Sequence, residues 1–112
     1  MDRIKQYRQV IESVLKEYAS LFNQQPVGVD VVAVCDESTD TYAIVNVGWD
    51  GSERMNATTV LIRIINGKIW VEEDHTMYGF VDELLDKGIK ADEIVLAFQP
   101  PKMRQYTQFA VA

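Results

Sequence analysis

Between Val29 and Glu73 the chain carries four β-rich segments joined by turns too short for anything but hairpins. This spacing constrains the fold more than any other feature. A parallel connection needs a crossover of a dozen or more residues, whereas an antiparallel one closes in a few. The expected strands are Val29–Cys35, Thr41–Trp49, a run from about Met55 to Ile65, and Lys68–Glu73. Asp36–Asp40 makes the first turn, Asp50-Gly51 sits in a loop reaching about Glu53, and Asn66-Gly67 makes the third turn. Asn-Gly is the sharpest hairpin signal, because both central positions of a type I′ turn need positive φ. The second strand (Ala43, Ile44, Val45, Val47) and the third (Val60, Leu61, Ile62, Ile64) are apolar on both faces. They belong at the centre of the sheet, with both faces at least partly covered.

Two helices supply the cover. From Asp2 to Phe22, apolar residues recur at alternating steps of three and four: Ile4, Tyr7, Ile11, Val14, Tyr18, Leu21. That makes one amphipathic stripe. Asp2 caps its start, and Glu12 precedes Lys16 by one turn on the wet face. Three heptads would also suit a coiled-coil strand, but the β-rich sequence that follows needs a helix laid upon it. Pro26 and Gly28 stop the helix. A second helix is expected over roughly Met77–Lys87, capped by Thr76 or Asp74, buried through Phe80, Val81, Leu84 and Leu85, and ended by Gly88. Asp92-Glu93 opens a turn, and Ile94–Phe98 reads as a brief further strand. The fold class is α+β: a four- to five-stranded antiparallel meander covered by a long N-terminal helix and a second helix.

The tail Pro100–Ala112, PPKMRQYTQFAVA, ends in apolar residues. Pro100 and Pro101 force an extended start. Phe109 is expected against the sheet, with Arg104 and Tyr106 near the surface beside it. Those two and Tyr78 are the candidate partner-binding residues. The aromatics near Arg104 are able to stack a nucleobase, but a tether from Arg104 to a carboxylate is the favoured reading.

At 112 residues and 47% hydrophobic, the chain is expected to be one domain able to bury a core without crosslinks. The single cysteine, Cys35, lies in an apolar run and reads as a small buried hydrophobe. No apolar run reaches the ~18 residues of a membrane span, so a cytoplasmic location is expected. Net charge is −6, distributed as +1 over residues 1–27, −9 over 28–97 and +2 over 98–112. An acidic middle repels phosphate, so direct DNA binding is disfavoured and a basic protein partner is favoured.

Catalytic patterns are missing. Glu72-Glu73-Asp74-His75 offers ligand types for a metal, yet adjacent strand residues alternate faces, so a solvated strand end with a helix cap is the better reading. His75 is the only histidine, and the six glycines are scattered among turns without a phosphate-cradling loop. No catalytic residue, metal or cofactor is assigned. Gly48-Trp49-Asp50-Gly51 reads as a structural corner in which the tryptophan supplies core area and Asp50 binds the turn backbone, with ligand stacking on Trp49 as the lesser alternative.

Four blocks together resemble one family. They are DRIKQYRQVIESVLKEYA at the first helix, GWDG at 48–51, GKIWVEED at 67–74 and DEIVLAFQPPKMRQYTQFAVA at 92–112. In this order they resemble the XisI-like proteins, known as fdxN element excision controlling factors. The resemblance spans the chain and implies one XisI-like domain over 1–112. It implies a regulatory role in site-specific excision of a DNA element that interrupts a nitrogen-fixation gene, beside a nuclease-fold XisH-like protein, while a separate recombinase exchanges strands. An antitoxin-like restraint of the XisH-like partner is the alternative it implies, and homo-oligomers are compatible with it. Family members often carry histidine where this chain has Gln99, glutamate where it has Gln108, and glycine where it has His75. The resemblance transfers no catalytic residue.

Overall fold

A computed structural model describes residues 2–23, 28–77 and 79–112. Pro26 and Tyr78 lie outside the described residues. The first helix, α1, spans Arg3–Phe22. Asp2 caps it as expected, its carboxylate accepting the backbone N–H groups of Ile4 at 3.0 Å and Lys5 at 3.3 Å. Tyr7, Ile11 and Val14 are buried, joined by Leu15 and Ala19, while Leu21 is 58% exposed. The reason is geometric. A three-four alternation averages 3.5 residues per turn, and a straight helix drifts from it by about 20° per heptad. By Leu21 the stripe has rotated off the sheet.

The strands are β1 (Val29–Asp36), β2 (Thr41–Asp50), β3 (Glu53–Ile65), β4 (Lys68–Asp74) and β5 (Ile94–Leu96), in the spatial order β1-β2-β3-β4-β5. The first four form the antiparallel meander. At Asn66 φ is 51° and at Gly67 it is 76°, as a type I′ turn requires. The fifth strand pairs with β4 in parallel, through Ile69–Ile94, Trp70–Val95 and Val71–Leu96. The sheet is therefore not wholly antiparallel. The connection from β4 to β5 carries the second helix, α2 (Phe80–Asp86), and is long enough to be a crossover.

The helix α2 starts later than the periodicity suggests. Gly79 has φ 82°, which no helical residue adopts, so the helix opens at Phe80. Asp74 still serves the start from a distance, accepting the Phe80 N–H at 2.7 Å. Thr76 does not cap; its hydroxyl and N–H donate to the same carboxylate at 2.6 and 3.1 Å.

One face of the sheet holds the core. Tyr42 and Ile44 of β2, Val60 and Ile62 of β3, and Ile69 and Val71 of β4 are buried beneath α1 and α2. Each such side chain contributes about 1.5–3 kcal/mol by leaving water. The other face is half covered. Short 3-10 turns at Ala91–Glu93 and Pro101–Tyr106 lead the tail back, where Ala110 bridges to Val95 of β5. At the far edge, Val32 and Val34 of β1 remain exposed. There the Asn23 side-chain amide accepts the Val31 N–H at 2.8 Å and donates to the Val31 carbonyl. Among the described residues no helix is long and apolar enough to cross a membrane.

Candidate functional site

Three regions are candidates for a functional role. The first is the C-terminal segment. Pro100 is extended (φ −56°, ψ 142°), as its double-proline context demands, and Pro101 opens the 3-10 turn. Arg104 is not at the surface: it is only 9% exposed. Nor does it tether a carboxylate. Its guanidinium donates to the carbonyls of Gln99 (3.1 Å), Ala97 (3.3 Å) and Val111 (3.4 Å), and lies 5.4 Å from the centre of the Trp70 ring. Residues 98–112 contain no acid, and the tight turn folds the side chain back onto its own segment. Tyr106 is 76% exposed, at the surface as expected. Phe109 is half-buried and packs against the core, less deeply than the tail's apolar character suggests.

The second region is the 48–51 corner. Trp49 does not supply core area; it is 54% exposed and lies on the β2–β3 hairpin opposite Arg54, whose guanidinium sits 5.5 Å from the ring centre. The helix-covered core ends before this hairpin tip. Gly48 is needed for a close crossing. Its φ is 147°, and an added Cβ would lie 2.2 Å from the Gly28 carbonyl oxygen. The neighbouring Trp49 N–H donates to that oxygen at 2.9 Å. Asp50 is the last residue of β2 and is exposed, and Gly51 turns with φ 64°.

The third region is a groove of about 690 Å³ between α1 and α2, which sequence reasoning did not find. Val14, Tyr18, Leu21 and Phe22 line it from α1, and Phe80 from α2. Tyr18 and Phe22 stack with ring centres 4.5 Å apart. The β4–α2 connection contributes His75 and Met77. The signal was present in the drift of Leu21 and in apolar Phe22 and Met77 beyond the regular stripe. His75 lies 3.6 Å from Glu73 and is exposed. Among the described residues no group of three or more histidine, cysteine or carboxylate side chains is arranged to hold a metal.

Charge on the helix-covered side is ordered by specific pairs. Arg8 of α1 grips both Asp40 carboxylate oxygens, donating from Nε at 2.8 Å and from Nη2 at 3.2 Å, and the Tyr42 hydroxyl donates to Asp40 at 3.0 Å. The Arg8 hydrogen bond holds the Asp40 carboxyl below its usual range. Glu12, 3.9 Å from Lys16, is instead raised, first by a hydrogen bond with the Glu37 carboxyl and then by burial. Burial raises the Cys35 thiol, which suits a packing residue and not a nucleophile.

Over residues 1–111 the chain matches the family described as XisI protein. It belongs to the XisI family. A crystal structure of a XisI-like protein from Anabaena variabilis ATCC 29413, at 1.30 Å resolution, superposes with a TM-score of 0.89 at 32% identity, covering 99% of this chain and 100% of the other. The structure of fdxN element excision controlling factor XisI from the same organism, at 2.19 Å, gives 0.84 at 40% identity with the same coverage. No curated protein matches the chain. Within the XisI fold, two of the sequence blocks that carry the resemblance meet along the β4–β5 pairing and again where Arg104 of the tail lies over Trp70 of β4.

Proposed function

We propose that this chain is a non-catalytic accessory protein that controls site-specific DNA element excision through contact with an XisH-like protein. The observation that carries this reading is family membership over essentially the whole chain, with a 40%-identical neighbour named as an excision controlling factor. The charge distribution supports it. A net charge of −9 over residues 28–97 suits a basic protein surface better than phosphate. The same acidity favours a second reading, antitoxin-like restraint of a nuclease-fold partner, because a nuclease presents basic surface to nucleic acid. The two share a first step, which is complex formation.

Mixing the purified chain with an XisH-like protein and resolving them by size exclusion tests that step. Co-elution at micromolar concentration is expected. Two folded proteins that elute separately would overturn the proposal. A gel shift on duplex DNA across a salt series checks the competing idea of direct DNA binding, for which phosphate contacts impose a steep salt slope. No shift at low salt is expected.

A further inference from the structure

We infer that the groove between α1 and α2 is the docking site for a basic amphipathic helix of a protein partner. This rests on the reading that the chain acts by protein contact. The floor is apolar, formed by Val14 and Phe80, both buried, with Tyr18 beside them. The rim is apolar too and open. Leu21, Phe22 and Met77, from two different elements, are 58%, 50% and 88% exposed at one opening. Large apolar side chains gathered this way mark a surface that gains from being covered.

The charges say what covers it. Among the described residues the groove is lined by two carboxylates, Glu17 on α1 and Glu83 on α2, and by no lysine or arginine. Neither carboxylate is in an ion pair among the described residues. Among the described lining residues the other ionisable side chains are Tyr18 and His75, and His75 faces Glu73. An occupant must therefore bring aliphatic side chains to the floor and positive charge to both walls. Val14 to Leu21 runs two turns along α1, roughly 10 Å. That length matches anchors at i, i+3 or i+4, and i+7 of a single helix, with Lys or Arg on its flanks.

The test uses an end-capped Leu/Lys amphipathic peptide of about four turns and its Leu/Glu counterpart, titrated into the labelled protein and followed by NMR and calorimetry. The Leu/Lys peptide should bind one to one, with shifts confined to α1, α2 and the connection before α2. Glu17→Lys with Glu83→Lys should weaken it by roughly tenfold or more and favour the Leu/Glu peptide. Asp50→Lys with Glu53→Lys makes the same charge change on the exposed β2–β3 turn and should alter affinity less than about twofold. Leu21→Ser with Met77→Ser should weaken binding at least as much, and its unchanged spectrum elsewhere reports the fold. Absent binding, or equal losses in both charge variants, would overturn the proposal. So would a chain that self-associates until Leu21 and Met77 are changed, since a second copy would then be the occupant. No XisH-like protein enters this titration, so its failure leaves complex formation standing, and a failed complex leaves the groove standing.

Discussion

A guanidinium taken out of water without a carboxylate must find acceptors for its donors elsewhere, and Arg104 finds them on its own segment. Three carbonyls and the Trp70 face hold it. Arg104→Ala should therefore cost about 2–4 kcal/mol in urea unfolding, from lost charge-assisted hydrogen bonds and the cation–π contact. Arg104→Lys should recover little, because an ammonium lacks the planar fork that reaches three acceptors. The sequence showed a basic residue among aromatics, and nothing in it distinguishes a guanidinium folded inward from one facing solvent. Asp40 sets a pH dependence of known sign. Its folded pKa is depressed by Arg8, so its contribution is present above the unfolded value of about 3.9 and is lost as pH falls through the lower folded value. Glu12 works oppositely: its raised pKa means that protonation favours folding as pH falls, which partly offsets the loss. Asp40→Asn should lower stability near neutrality and flatten the acid limb. Urea midpoints taken from about pH 6 to pH 2 check this.

The hairpins were legible because turn chemistry is local. Asn66-Gly67 requires positive φ at both positions and has it. Gly67→Val should destabilise the protein by about 1–2 kcal/mol, since a β-branched residue is disfavoured there, and its Cβ would also sit 3.2 Å from the Arg3 guanidinium. Equal thermal midpoints for variant and parent would contradict the turn. The helix α1 was legible for a similar reason, its cap and period lying within twenty-odd residues of one another. Two features were not. The parallel pairing of β5 depends on where α2 sets the chain down, which only tertiary packing decides. The late start of α2 depends on Gly79 at φ 82° and on an aspartate six residues before Phe80, beyond the three-residue reach of an ordinary cap motif.

At the scale of the molecule, one sheet carries its helices on one face, and its tail lays Arg104 over Trp70, pairs Ala110 beside β5 and packs Phe109 against the core. The tail is structural as well as terminal. Removing residues 107–112 takes away the half-buried Phe109, the Ala110 N–H donated to Ile94 at 2.8 Å and one acceptor of Arg104. A loss of about 2–4 kcal/mol is expected, less than for a fully buried phenylalanine. A truncated chain with the parent's melting curve would show the tail to be dispensable for folding. The groove escaped sequence reasoning because it is made where the end of α1 meets the β4–α2 connection and the start of α2, a juxtaposition of residues some sixty positions apart. The two sheet edges are finished differently. Ala110 extends the β5 side, and on the β1 side one side-chain amide stands where a neighbouring peptide group would be. Asn23 both ends α1 and occupies Val31, so a foreign strand seeking to zip onto β1 meets a position already paired. Val32 and Val34 stand exposed beside it, and an unpaired apolar edge is a place where strands of other copies can add. One asparagine thus takes up the strand-pairing groups of Val31 on the open flank of the sheet.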